Sequence, residues 1–171
     1  NNTLSGNNIN DNKHRGIHLD NCDNITISDN TANYNTYFGI YLYQSHYTNI
    51  TGNTANYNWN GIYLYYCNNN TISGNTAYDN DNCGILLSYC DNNTISGNTA
   101  NDNDNYGIYL GYCNNNTISG NLAEYNQYGI LFEFECHFNK ISGNIIKRNN
   151  FGISFENLGC NNNSIYKNFF L

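Results

Sequence analysis

Apolar and polar residues alternate along this chain in bursts of three to five residues, and Asn, Asp or Gly cuts off each burst. Period-two alternation of that length predicts short strands, and no stretch carries the 3.6-residue period of a helix. The bursts recur in phase. The phrase Thr-Ile-Ser-Gly-Asn, or a close variant, returns with its apolar centre at Leu4, Ile27, Ile50, Ile72, Ile95, Ile118, Ile141 and Ile165. A second phrase, Gly-Ile-x-Leu, begins at Gly16, Gly39, Gly61, Gly84, Gly107, Gly129 and Gly152. Successive copies lie 22 to 24 residues apart.

Strands this short cannot bury a core alone, whereas repeats stacked on one another share a continuous one. Seven full repeats and the start of an eighth fill all 171 residues. The expectation is one all-β domain over 1–171, a parallel β-helix solenoid of about seven coils. At about 4.8 Å per coil the rod is roughly 34 Å long. The inward columns are the Ile series above, the Ile after each Gly, the Leu or Phe two further on, and a small column from Ile9 through Ala32, Ala55, Ala77, Ala100 and Ala123 to Ile146. With no initiator Met and a start inside a motif, the chain reads as a segment of a longer or processed protein.

Composition alters this picture in one respect. Hydrophobic residues are 39% and charged residues 11%, a polarity that would suit a disordered chain. Aromatics, however, are 15%, and many of the 42 Asn fall in register. Asn30, Asn53, Asn75, Asn98, Asn121 and Asn144 occupy one turn, with Asn7 and Asn168 at its ends, and a second Asn series follows five residues later. Stacked amides can each donate to one neighbour and accept from the other, and Asn tolerates the left-handed backbone of tight turns. The Asn surplus therefore reads as structural.

The net charge is −7, and no Lys or Arg lies between Arg15 and Lys140. That gap excludes the clustered cations of a nucleic-acid surface. No apolar run reaches the roughly 18 residues needed to cross a bilayer, so no membrane span is expected in this segment.

The repeat Asn93-Thr94-Ile95-Ser96-Gly97-Asn98, followed by Gly107-Ile108-Tyr109-Leu110, resembles that of pectate-lyase-like domains and NosD-type periplasmic proteins. In the near-identity of its central copies it is most similar to archaeal cell-surface arrays. The resemblance implies a right-handed parallel β-helix. It says little of activity, since such scaffolds carry enzymes, binding modules and spacers. Polysaccharide lyases on this scaffold resemble one another in holding Ca²⁺ with Asp and using Arg or Lys as base, and the central coils here lack that base.

Several columns are candidate sites. Tyr41, Tyr63 and Tyr109 form an outward stripe with Tyr43 and Tyr65 beside it, a surface suited to stacking on sugar rings or packing on a partner. Tyr66, Tyr89, Tyr112 and Phe134 make a further aromatic column. Asp79, Asp81, Asp102 and Asp104 could gather at one loop edge and bind Ca²⁺ as a cofactor. Glu133 and Glu156, one coil apart with Glu135 and His137 nearby, could act as a paired-carboxylate glycosidase centre.

Cys22, Cys67, Cys90, Cys113, Cys136 and Cys160 share one repeat position, with Ser45 as the missing rung, and read as a buried stack of apolar thiols. Cys83 stands outside it as the one candidate reactive thiol. A Thr-x-Ser face resembles ice-binding grids but is interrupted at Asn49 and Lys140. Sequons at Asn24, Asn69, Asn92 and Asn115 are glycosylation candidates, as are those at Asn1, Asn49 and Asn162.

The leading functional expectation is a non-catalytic structural or adhesive protein, extracellular or at the cell surface. It would stack end to end through open β-helix ends, aided by Phe169-Phe170-Leu171. The alternative is a carbohydrate-binding or polysaccharide-processing module that uses the Tyr face and the Asp loops, with an extracellular glycan as partner.

Overall fold

A computed structural model describes residues 1–157 and 159–170. All its strands are parallel, and no helix occurs among the described residues. Thr-Ile-Ser segments form an eight-stranded sheet running from Asn2–Ser5 to Ser164–Tyr166. Gly-Ile-x-Leu segments form a seven-stranded sheet from Arg15–Asp20 to Phe151–Glu156. The small column lies on a five-stranded sheet from Thr76–Tyr78 to Phe169–Phe170, which isolated bridges extend back to Asn8. Every strand pairs with its equivalent one coil away, as in Ile95↔Ile118 and Ile108↔Ile130. This is the expected solenoid. Leu171 of the expected apolar tail lies outside the described residues.

The core is the set of inward columns read from the repeat. Ile27, Ile50, Ile72, Ile95, Ile118 and Ile141 are wholly buried, as are Ile40, Ile62, Ile85 and Ile108 facing them. Each buried Ile contributes about 1.5–3 kcal/mol against its exposed state. Close approach of successive coils sets the rest. A Cβ on Gly39 would lie 2.7 Å from the Gly61 carbonyl oxygen and 2.8 Å from Ala55 Cβ, so that column must be Gly, and its neighbouring column small.

Each coil turns four times, and each turn is built alike: a residue with positive φ, then a residue whose side chain accepts a backbone N–H from the preceding coil. Gly97-Asn98, Asp102-Asn103, Tyr66-Cys67 and Asn92-Asn93 represent the four. For an L-residue the left-handed region costs roughly 1–2 kcal/mol, and the stacked hydrogen bonds offset it. In the first ladder Asn75 N donates to Asn98 Oδ1 at 2.9 Å, and Asn98 Nδ2 donates to Asn121 Oδ1 at 2.9 Å and to Ile72 O at 2.9 Å.

Candidate functional site

The seven-stranded sheet presents three outward columns. The first runs Arg15, Phe38, Asn60, Cys83, Tyr106, Tyr128, Phe151; the second His18, Tyr41, Tyr63, Leu86, Tyr109, Leu131, Ser154; the third Asp20, Tyr43, Tyr65, Ser88, Gly111, Glu133, Glu156. Tyr41, Tyr63, Tyr43 and Tyr65 are adjacent, as their spacing requires. Their rings are tilted against one another, with Tyr41–Tyr63 centroids 5.2 Å and Tyr43–Tyr65 centroids 5.8 Å apart. Leu86 separates Tyr109 from them.

Two of these tyrosines depart from the expected exposed ladder. Tyr41 is only 8% exposed, because the Arg15 guanidinium lies 4.4 Å from its ring centroid and Phe38 packs at 5.1 Å. Tyr109 donates its hydroxyl to Glu133 Oε2 at 2.7 Å, while Asn157 Nδ2 donates to Glu133 Oε1 at 2.6 Å. Burial first, and then the bond to Glu133, pushes the Tyr109 phenol well above its ordinary pKa. Both oxygens of Glu133 are engaged, and the Tyr128 phenol is raised first by its hydrogen bond to Glu156. The two glutamates are in register, but each is bound to the aromatic face.

The N-terminal end of this face gathers groups that the sequence reading left apart. Arg15 Nη1 lies 3.4 Å from the His18 ring nitrogens, and the His18 ring is tilted 32° against Tyr41 with centroids 5.2 Å apart. Desolvation and then the Arg15 charge lower the His18 pKa below 6.5, against a smaller opposing pull from Asp20. The imidazole is thus neutral at physiological pH, beside a fixed cation. Aligning Gly16-Ile17-His18 with Gly39-Ile40-Tyr41 is the signal that places His18 in the Tyr stripe.

At the turn after this sheet, Tyr66, Tyr89, Tyr112 and Phe134 stack almost flat, with centroids 4.8, 4.6 and 5.2 Å apart. A cavity of about 420 Å³, lined by Asn21, Asp23, Gln44, His46 and Tyr66, opens at one end of the stack. A second, of about 280 Å³, is lined by Tyr112, Phe134, Glu135 and Asn157 at the other. Neither cavity was expected.

The thiol column is the buried stack expected, packed into the apolar core, and its sulfurs also make hydrogen bonds. Cys67 N donates to Cys90 Sγ at 3.2 Å and Cys90 N to Cys113 Sγ at 3.3 Å, while Cys90 Sγ donates to Ser88 O at 3.2 Å. All the cysteines are free, and Ser45 Oγ does the same work for Cys22 N. Burial first pushes Cys90 far above its ordinary pKa, and raises Cys136 to about 12. Cys83 is wholly buried and its pKa is raised by that burial, so it is not the accessible thiol expected. A third ladder, Thr48, Asn70, Asn93, Asn116, Asn139 and Asn163, escaped the sequence reading.

The expected Ca²⁺ cluster does not form: no three carboxylate, imidazole or thiol groups among the described residues are arranged to hold a metal ion. Asp79 and Asp102 stack as left-handed turn residues, and Asp102 is raised first by desolvation, then by repulsion from Asp79 and Glu124. Asp81 and Asp104 are exposed. The sequon residues Asn24, Asn69, Asn92 and Asn115 are exposed and left-handed, each one coil or two from the next. The Thr-x-Ser grid is in register, with exposed Asn49 and Lys140 breaking it.

The sequence matches the model of the family described as periplasmic copper-binding protein (NosD) in two overlapping segments, residues 1–65 and 39–171. No curated protein matches it. The fold is that of the periplasmic alginate epimerase AlgG, at a TM-score of 0.93 and 20% identity over 99% of this chain and 45% of that one. The A-module of Azotobacter vinelandii mannuronan C-5 epimerase AlgE4 aligns at 0.90 and 21% over 98% and 53%. The chain spans about half the length of these structures.

The expectation of a non-catalytic structural or adhesive subunit is corrected by these neighbours, which are alginate and mannuronan epimerases. A copper centre would need soft ligands converging on one point. Here the thiols are spread one per coil and spent on backbone hydrogen bonds, so the residues present do not fit one.

Proposed function

The chain belongs to the NosD family, and from that premise we propose that it is a polysaccharide-binding and polysaccharide-processing β-helix acting outside the cytoplasm on an acidic glycan. The observation that carries this reading is the Arg15–His18–Tyr41 group at the end of the aromatic face. Sugar rings present C–H faces to Tyr43, Tyr63 and Tyr65. A uronate carboxylate pairs with the Arg15 guanidinium, which Tyr41 holds in place. The neutral His18 imidazole can then take the proton on the carbon next to that carboxylate, the electron pair moving into the carboxyl group that Arg15 steadies. Proton abstraction of this kind opens both epimerisation and elimination. The periplasmic setting in the family's description and in AlgG supports the location.

The test uses a mannuronate tetrasaccharide in D₂O. NMR should show deuterium entering at the carbon bearing the carboxylate, and His18→Ala should abolish exchange while leaving binding within about threefold. Because the His18 pKa is lowered, exchange should persist on acidification through pH 6.5 and fall only below it. Tyr63→Ala or Tyr65→Ala should weaken binding about tenfold, the worth of one aromatic contact. Binding that survives both changes overturns the proposal.

A further inference from the structure

The stacked column at the turn has a property that its sequence conceals. In a flat stack the inner rings cover one another's faces: Tyr89 and Tyr112 are 4.6 Å apart with ring planes only 3° from parallel. Tyr66 begins the column, because the preceding positions are Gln44 and Asn21. Tyr65 packs on its ring at a 41° tilt with centroids 4.4 Å apart, and the part of Tyr66 that stays exposed lines the 420 Å³ cavity with Asn21, Asp23, Gln44 and His46.

The polar groups there are pre-set. Asp23 Oδ1 accepts the His46 backbone N–H at 2.7 Å, leaving its second oxygen uncommitted. His46 Nδ1 accepts the Asn68 backbone N–H at 3.0 Å, which leaves Nε2 as the ring nitrogen that donates. The cavity therefore offers a phenol ring, a carboxylate acceptor, an imidazole donor and two amides. None of its lining residues is a Lys or Arg.

We propose that this groove is a subsite for a neutral pyranose unit. The ring lies against Tyr66, and its hydroxyls donate to Asp23 and accept from His46 Nε2. Asp23 repels a carboxylate, so the groove and the Arg15 centre select different sugars. His18 lies two strand residues before the left-handed turn at Asn21, so the two are at most about 10 Å apart along the chain. A polymer crossing both would carry neutral units next to its uronates. The inference rests on the functional reading above, since it names the polymer class acting at that face.

The test compares a neutral β-1,4-linked glucose tetrasaccharide with the mannuronate tetrasaccharide, following the His46 ring signals by NMR and affinity by calorimetry. The neutral probe should shift the His46 signals. Tyr66→Ala should weaken it about tenfold, while Tyr112→Ala, two coils along, should change it less than twofold. Mannuronate should shift His46 only after Asp23→Asn, which keeps the Oδ1 acceptor and therefore the turn. A silent His46, affinity unchanged in Tyr66→Ala, or mannuronate entering the unaltered groove would each overturn the subsite. The reaction centre is read separately, by deuterium exchange and His18, so either proposal can fail while the other stands.

Discussion

At the scale of single residues, the thiol column shows how a side chain can be legible in position and burial while half of its role stays hidden. The spacing of Cys67, Cys90 and Cys113 places them over one another, and the structure agrees. Their work as hydrogen-bond acceptors was hidden because a buried thiol usually counts as a small apolar group. Ser45 was the available clue, since a hydroxyl filling the gap implies a polar task. Cys90→Ser should therefore be nearly neutral. Cys90→Ala leaves the buried Cys67 N–H without a partner and should cost about 1–3 kcal/mol in denaturant titration.

Asp102 gives a second residue-scale test. Its pKa is raised above 3.8, so its contribution is favourable below that pH and is lost as pH rises through the folded value. Asp102→Asn, which also suits the left-handed turn, should stabilise the protein at pH 7 by no more than about 1 kcal/mol. The gain should vanish below pH 3.8. Glu124 has the opposite sign: desolvation pushes it up, but Arg148 and Lys147 outweigh that and hold it below 4.5. Its stabilisation is present above pH 4.5 and lost on acidification through the folded value.

At the scale of elements, strand and turn follow different rules, and both can be tested on glycines. Gly107 is the second residue of the strand Tyr106–Gly111, where a Cβ would lie 2.7 Å from the Gly129 carbonyl oxygen; Gly107→Ala should cost about 1–3 kcal/mol by overpacking. Gly97 is a turn residue with φ +62° and open space around it. Gly97→Asn should cost under about 1 kcal/mol, as Asp29 occupies the same file in its own coil. Thermal melts of the two variants decide this.

The turns also mark where sequence reading ran out. In Asn68-Asn69-Asn70 and Asn114-Asn115-Asn116 three identical residues perform three tasks, and nothing in their chemistry says which points inward. The strands carried their own alternation and could be read directly. The Arg15–His18 pairing lay between these cases: the register was legible, but a guanidinium folding back over Tyr41 depends on packing that spacing does not encode.

For the whole molecule, contacts run almost entirely between neighbouring coils, so stability is a chain of nearest-neighbour terms. Asn98 sits in the middle of its ladder, with wholly buried bonds to Asn75, Ile72 and Asn121. Asn98→Ala should weaken the seam between its coil and its neighbours rather than the whole rod at once. Hydrogen exchange should show protection lost first around Ile72–Ile118, and unfolding should separate into two transitions where the unaltered protein shows one. Uniform loss of protection would mean that the coils are coupled more strongly than their pairwise contacts imply.

Because each coil meets its neighbours through the same register, the solenoid has a natural unit of change. Excising 92–114, one full period, joins Asp91 to Asn115 in the same phase as before and should yield a folded rod shorter by about 4.8 Å. Removing a single residue instead throws every later column out of alignment. Variation among natural versions of this protein should therefore be quantised in whole coils, with the Arg15–His18 end fixed and the central span free to lengthen.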